Sequence, residues 1–195
     1  PEKCRRPIAS GELPVQTALI AAVVLALVGI AGSFAVNAAL GAVTLSYFVL
    51  QMAYQAALKR MVLLDVFAIA GGFVLRAVAG AEAIQVVISP WLLICTLLLA
   101  LFLGLAKRRG ELSALPQGSI GHRETLDRYS IGMLDHLISA MVASTIMAYC
   151  LYTISDRTVA ELGSTRLMYT IPFVIYGLFR YVCLIHRHGH GGAPD

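Results

Sequence analysis

The stretch PVQTALIAAVVLALVGIAGS, residues 14–33, contains no Asp, Glu, Lys or Arg. About twenty apolar residues in a helix cross the hydrocarbon core of a bilayer, so this run predicts a transmembrane helix. Five further apolar segments of similar length follow it, at 38–57, 60–81, 88–106, 131–153 and 167–186. They are continuous rather than alternating, which favours helices over the strands of a membrane barrel. The sequence therefore predicts an all-α, polytopic transmembrane bundle of six helices.

The composition supports this fold class. Hydrophobic residues make up 58% of the 195 residues, and charged residues only 13%, where about a quarter is usual in a soluble domain. Such a chain lacks the polar shell of a soluble domain, so we expect residues 1–195 to form a single transmembrane domain. The four cysteines are far apart, which argues against a disulfide framework or a zinc site. The net charge of +4 is modest, and no nucleic-acid partner is expected.

The cations are unevenly placed. Eleven of them lie in the loops before the first, third and fifth apolar segments or after the sixth: Lys3, Arg5, Arg6, Lys59, Arg60, Lys107, Arg108, Arg109, Arg123, Arg128 and Arg187. The alternate loops contain only Arg157 and Arg166. Cytoplasmic loops carry the excess of Lys and Arg in membrane proteins, so both ends of this chain are predicted to be cytoplasmic. The long polar stretch 107–130 is then a cytoplasmic loop, and we expect it to be functional.

Two basic motifs are candidate phosphate sites. The stretch KCRRPIASGELP, residues 3–14, places Lys3 and Arg6 beside a membrane segment, where they suit either phosphate binding or a topogenic role at lipid headgroups. In KRRGEL, residues 107–112, Lys107 and Glu111 are four apart and share a helix face. That carboxylate can hold a metal ion or orient the lysine toward phosphate. The alternative is a surface ion pair at the end of a membrane helix.

Ionisable residues also occur inside the predicted helices. Asp135 lies about one turn into the fifth segment, where a lipid-facing charge costs roughly 2.5–3.5 kcal/mol. We therefore expect Asp135 to face the bundle interior, and Tyr129 just before it to act there or as an interfacial anchor. Asp65 lies near the basic loops and is a second candidate. Arg76, about 16 Å further along the same helix face, is expected to be structural and bound to carbonyls or to Glu82.

Taken together, these motifs resemble the UbiA superfamily of intramembrane prenyltransferases, and within it the decaprenyl-phosphate phosphoribosyltransferase branch. The similar elements run in order along nearly the whole chain, at 3–14, 58–80, 101–112, 126–135 and 169–186. RPIASG is common to much of the superfamily. KRRGEL and YTIPFVIYGLFRY are more particular to the phosphoribosyl branch.

The resemblance implies a nine-helix fold, of which this chain corresponds to helices three to eight. An Asp-rich motif that binds magnesium and diphosphate is then expected just before residue 1, so the chain looks truncated at both ends and is expected to be inactive alone. Where most superfamily members have a second Asp-rich motif, this sequence has Lys107, Arg108 and Glu111. Additional cations there suit a donor with an additional phosphate.

The implied reaction transfers 5-phosphoribose from phosphoribosyl diphosphate to a polyprenyl (decaprenyl) phosphate, with Mg²⁺, in a bacterial cytoplasmic membrane. The product would serve the synthesis of cell-envelope arabinan or a related glycolipid. The resemblance implies catalytic roles for Lys107, Arg108, Glu111 and Asp135, with Glu111 also a metal candidate. It implies substrate binding by Lys3, Arg6, Lys59, Asp65 and Tyr129. A homo-oligomer, an aromatic prenyltransferase of the same fold and a noncatalytic bundle all remain open.

Overall fold

The computed structural model describes residues 14–114 and 129–188, with side chains as far as residue 186. Seven α-helices occur in these residues: α1 (Val15–Val36), α2 (Ala38–Ala56), α3 (Leu64–Ala83), α4 (Pro90–Ser113), α5 (Ile131–Ile154), α6 (Asp156–Leu162) and α7 (Ile171–His188). Two short 3-10 turns, Leu58–Arg60 and Arg166–Thr170, precede α3 and α7. The predicted all-α, polytopic helix bundle is confirmed.

Five of the helices are long and apolar enough to cross a membrane: α1, α3, α4, α5 and α7 with the turn before it. The sixth predicted segment, 38–57, does form a helix, α2, and α2 has no charged residue. It contains two glutamines, two tyrosines, a serine and a threonine, and it is not among the helices that are apolar enough over their length to cross a membrane. All six predicted segments therefore form helices, and five of the six are long and apolar enough to cross a membrane.

Local signals explain where the helices begin. Asn37 caps α2, because its side-chain oxygen accepts from the backbone N–H of Ala39 at 2.6 Å. Ser130 caps α5 by accepting from the N–H of Met133 at 3.1 Å. Pro90 is the first residue of α4, where a missing N–H leaves no hydrogen bond unmade. These caps fix the starts of the helices within a residue or two of the predicted segments.

Helix α4 continues beyond its predicted end at 106. The structure extends it to Ser113, so the KRRGEL motif is the last part of a helix, and the predicted loop 107–130 begins inside α4. The helix persists because its arginines have partners within the bundle, as described below. Residues 107–113 are therefore helical.

Consecutive helices from α1 to α5 pack on one another, and α7 packs on α5. The interface between α3 and α4 is close, since a Cβ on Gly104 would lie 2.6 Å from Cγ1 of Val66. The buried core is centred on α3, α4 and α5, and includes Val66, Ala70, Phe102, Leu105, Leu134 and Ile138. In contrast, no residue of α1 is buried.

The helices have two distinct ends. At one of them α3 and α5 begin while α4 and α7 end. The contacts of Arg108 and Arg109, near the end of α4, with residues of the other three helices show this arrangement. We call this the cationic end. At the opposite end, Asn37 donates to the carbonyl of Glu82 at 3.3 Å, and Arg157 donates to the carbonyl of Val87 at 3.2 Å.

Candidate active site at the cationic end

Asp65, in the first turn of α3, is the most buried charged group of the described residues, with 1% of its surface exposed. Its Oδ1 accepts from the N–H of Val66 at 2.8 Å and from the hydroxyl of Tyr129 at 3.0 Å. Its Oδ2 lies 2.7 Å from Nε of Arg108. This contact is an ion pair and not a hydrogen bond, since the N–H of Nε is not aligned with the oxygen. Both carboxylate oxygens are therefore engaged.

The backbone just before Asp65 is strained. Leu63 has φ of 66°, a value that is rare for a residue with a branched side chain, and the N–H of Leu64 reaches back to the carbonyl of Val62 at 2.8 Å. This is the geometry of a classic γ-turn, which is uncommon and strained. The N–H of Leu63 donates to the hydroxyl of Tyr129 at 2.6 Å. Tyr129 thus holds both the turn and the carboxylate that follows it.

Tyr129 is itself buried, with 5% of its surface exposed. Burial, together with the neighbouring carboxylate of Asp65, raises the pKa of Tyr129 to about 12. The Leu63 N–H and the Arg108 guanidinium act in the other direction but do not overcome these effects. The hydroxyl therefore stays protonated at neutral pH and donates to Asp65.

Arg108 connects this group to the end of α4. It is 4% exposed, and besides Asp65 it contacts Glu111, with Nη1 2.5 Å from Oε2. The Glu111 side chain is one-third exposed. Glu111, Arg108, Asp65 and Tyr129 thus form a continuous polar chain that joins α4 to the start of α3 and to Tyr129, two residues before α5.

A second polar cluster joins α4, α5 and α7. Nε of Arg109 lies 2.5 Å from Oδ1 of Asp135, and Nη1 donates to the carbonyl of Ile185 at 3.1 Å. Nε2 of His186 lies 3.4 Å from the same Asp135 oxygen. We call Arg109, Asp135 and His186 the α7 cluster, because it attaches the end of α7 to the bundle.

Comparison with known proteins gives this geometry a context. The UbiA prenyltransferase family matches residues 1–190. The chain belongs to the UbiA family. It is similar to the decaprenyl-phosphate phosphoribosyltransferase of Mycobacterium tuberculosis (strain ATCC 25618 / H37Rv), with 28% identity over 195 residues. It is also similar to the decaprenyl-phosphate phosphoribosyltransferase of Corynebacterium glutamicum, with 31% identity over 199 residues.

All of this chain is covered in both cases, together with 63% and 59% of the two relatives. The chain therefore spans about three fifths of the length of the curated relatives that it matches. The family assignment and the apolar helices together identify an integral membrane protein.

The structure brings together most of the residues that the sequence singled out in this UbiA-family chain. Asp65, Arg108, Glu111 and Tyr129 lie in one chain of contacts. Asp135 faces the bundle, as its position in α5 predicts, and contacts Arg109. Lys3 and Arg6 lie outside the described residues.

Two of the three predicted lysines, Lys59 and Lys107, lie in the described ranges. Lys59 is in the turn before α3, where its ammonium lies 3.4 Å from the side-chain oxygen of Gln55. Lys107 is exposed, and within the described ranges no ion pair involves it. The expectation that Glu111 orients Lys107 is not what the structure shows, since Glu111 contacts Arg108 on the adjacent turn.

Two other differences concern arginines. Arg109 was not among the predicted site residues, yet it is the partner of Asp135. The sequence contains a signal for Arg109, because two acids within membrane helices require two cationic partners and KRRGEL supplies two adjacent arginines. Arg76 contacts the hydroxyl and the ring face of Tyr47, so the structure shows neither of its expected partners, backbone carbonyls or Glu82.

The described carboxylates do not suit a magnesium ion. Mg²⁺ requires oxygen ligands in near-ideal octahedral geometry. Here Asp65 and Glu111 share Arg108, while Asp135 is held by Arg109. Among the residues that the structure describes, no group of three or more His, Cys, Asp or Glu is placed to hold a metal. The possible metal role of Glu111 thus gains no support from its surroundings.

Proposed function

We propose that the complete protein transfers 5-phosphoribose from phosphoribosyl diphosphate to a polyprenyl phosphate and releases diphosphate. The observation that carries this proposal is the pairing of every described carboxylate at the cationic end with an arginine. Among the described residues, no acidic cluster is formed at the end of α4, where a prenyl diphosphate and its metal would require one. The names of the similar proteins, which are decaprenyl-phosphate phosphoribosyltransferases, support the same reaction.

The proposed chemistry requires little acid–base catalysis. The bond from ribose C1 to the diphosphate oxygen breaks, and its electron pair leaves with diphosphate. An oxygen of the acceptor phosphate, already anionic, forms the new bond to C1. No proton needs to move, so the protein contributes mainly by positioning the two substrates and by stabilising the departing charge.

The predicted site residues have three proposed roles in this scheme. Lys107, exposed at the cationic end, is proposed to bind a donor phosphate, as are Lys3, Arg6 and Lys59. Arg108 is proposed to act in the donor site through its contacts with Asp65 and Glu111, which fix its guanidinium.

Asp135 and Tyr129 are proposed to order the entrance to the site. Asp135 is alternatively proposed to contact ribose. Magnesium is proposed for the complete protein only, and none of these steps depends on it.

The orientation in the membrane is also a proposal. The cationic end contains Lys59, Arg60, Lys107, Arg108 and Arg109, and positive charge is retained on the cytoplasmic side. We therefore place this end at the cytoplasmic face of a bacterial inner membrane, which a soluble phosphorylated donor can reach.

The test is a transfer assay in membranes that contain the complete protein. Labelled phosphoribosyl diphosphate and polyprenyl phosphate are expected to give lipid-linked phosphoribose, and loss of product on chelation would support the magnesium proposal. Transfer from a prenyl diphosphate to an aromatic acid, without phosphoribose transfer, would instead identify an aromatic prenyltransferase. If neither donor gives a product, the noncatalytic bundle is favoured.

The role of Lys107 has its own test. Lys107→Ala removes one charge-assisted contact with phosphate, worth about 1.5–3 kcal/mol, so kcat/KM for phosphoribosyl diphosphate is expected to fall at least about tenfold. Arg166→Ala is the matched control, because it removes an exposed cation near the opposite end. Equal activity of the two variants would refute the assignment of Lys107.

A further inference from the structure

An apolar groove lies between α5 and α7. It has a volume of about 450 Å³ and is lined on the α5 side by Ser139, Ala143, Ile146 and Cys150, and on the α7 side by Phe179 and Val182. The α5 residues recur every three or four positions, so they form one stripe along the helix. From Ser139 to Cys150 the stripe extends about 16 Å along the helix axis.

The groove begins directly beside the α7 cluster. Ser139 is one turn beyond Asp135 and donates to its backbone carbonyl at 2.8 Å. Val182 is one turn before His186, and its carbonyl lies 2.8 Å from Nδ1 of that ring. One end of the groove is therefore polar and adjoins the cationic end, whereas the rest is apolar and lies at membrane depth.

The polar end retains hydrogen-bond donors. A guanidinium has five N–H groups, and the protein contacts of Arg109 engage Nε and Nη1. The His186 side chain is 44% exposed and stands at the same end. An anionic headgroup there would meet the donors of Arg109 beside an exposed ring, while an attached hydrocarbon chain continued into the groove.

We propose that this groove binds the isoprenoid chain of the acceptor lipid, with its phosphate at the α7 cluster. This proposal rests on the proposed function and adds the site of the acceptor. The apolar groove suits a long hydrocarbon chain, and the remaining N–H donors of Arg109, whose charge is paired with Asp135, suit a headgroup that accepts hydrogen bonds. Helix α1, another exposed apolar surface, has no buried residue and no charged group, and so offers nothing that would select a phosphate.

Photolabelling of the complete protein in lipid nanodiscs tests the site directly. A polyprenyl phosphate with a diazirine in its chain is expected to label peptides of α5 and α7. Unlabelled polyprenyl phosphate should compete, whereas polyprenol and phosphatidylglycerol at the same concentration should not. Labelling confined to other helices, or equal competition by phosphatidylglycerol, would overturn the proposal, the latter by showing a groove for bulk lipid.

A substitution separates this inference from the proposed function. Ala143→Phe fills the groove, and the KM for polyprenyl phosphate is expected to rise at least about tenfold while the KM for phosphoribosyl diphosphate stays unchanged. Ala22→Phe, the same change on exposed α1, is the control.

If the wild type is active and Ala143→Phe leaves the KM for polyprenyl phosphate unchanged, the proposed lipid groove is refuted and the proposed function is not. A wild type without transfer would refute the proposed function. If Ala143→Phe does not fold, the photolabelling of the wild type decides.

Discussion

The two ends of the bundle handle polar groups in opposite ways. At the cationic end, Arg108 and Asp65 form a contact in which both side chains are at least 95% removed from solvent. At the opposite end, the Arg157–Glu161 pair is 40% and 58% exposed, and the helix starts there depend on neutral caps such as Asn37 and Ser155. One end therefore buries charge, and the other keeps charge in contact with the polar surroundings.

Burying charge is costly even when the charges are paired. At the opposite end, helix caps and backbone contacts are enough to join the helices, and they avoid the free-energy cost of burying charge. The concentration of buried ion pairs at the cationic end thus indicates that fixed charges are needed there. Under the proposed function, this contrast distinguishes the end that binds substrates from the end that only joins helices.

The largest effect is expected from breaking the buried pair. Asp65→Asn leaves Arg108 buried with only the partly exposed Glu111, and removal of one partner of a buried pair destabilises by about 3–5 kcal/mol. Glu161→Gln, which breaks the exposed pair, should change stability by no more than about 1 kcal/mol. The free energies of unfolding in mixed micelles give both values, and similar losses at both ends would invalidate the comparison.

The next effect comes from the helix contact that positions the buried pair. Gly104→Ala would place a Cβ 2.6 Å from Cγ1 of Val66, the neighbour of Asp65, and overpacking of this kind costs about 1–3 kcal/mol. Gly29→Ala on α1 meets nothing within 4 Å and is expected to be neutral or slightly stabilising. Thermal unfolding of both variants checks this, and a tolerated Gly104→Ala would show that α3 and α4 can separate freely.

An effect of similar size is expected from Tyr129→Phe. It removes the hydroxyl that accepts from Leu63 and donates to Asp65, with a loss of about 1–3 kcal/mol at neutral pH. In the wild type the raised pKa of Tyr129 makes folding favour the protonated phenol. That contribution is present below pH 10 and is lost as pH rises toward 12.

Unfolding measured across this alkaline window is expected to show a decline in the wild type that Tyr129→Phe lacks. Parallel declines in the two proteins would mean that other groups dominate and that Tyr129 contributes no pH dependence of its own.

The smallest effect belongs to the opposite end. Asn37→Ala removes the cap of α2 and the contact with the carbonyl of Glu82, which costs about 1 kcal/mol. Because no charge is involved, phosphoribosyl transfer by the complete protein should not change. A loss of transfer at unchanged stability would mean that the two ends are functionally coupled.

Helix number and class follow from the sequence because the length and apolarity of each run are local properties. Helix ends were harder to predict. Helix α3 starts at Leu64 instead of 60, since the γ-turn at Leu63 depends on Tyr129 from a distant part of the chain. The short helix α6 was expected to be a connection, although its cap Ser155 and the left-handed Gly163 at its end mark it in retrospect.

The site was predictable in part for the same reason. The cost of a charge in lipid predicts that Asp65 and Asp135 face inward, and both do. Their partners depend on how α4 is rotated against its neighbours, and no local pattern in the sequence states that rotation. Spacing suggested a contact between Glu111 and Lys107, whereas the structure pairs Glu111 with Arg108, because Arg108 is drawn inward by Asp65.

The pairing of Asp65 with Arg108 also has a consequence for biogenesis. The ribosome delivers α3 before α4, so the carboxylate reaches the bilayer before its guanidinium partner has been synthesised. Asp135 is instead synthesised after its partner, because Arg109 lies near the end of the preceding helix. The first pair therefore favours insertion of α3 and α4 as a hairpin, while α5 can enter singly against a helix that already neutralises it.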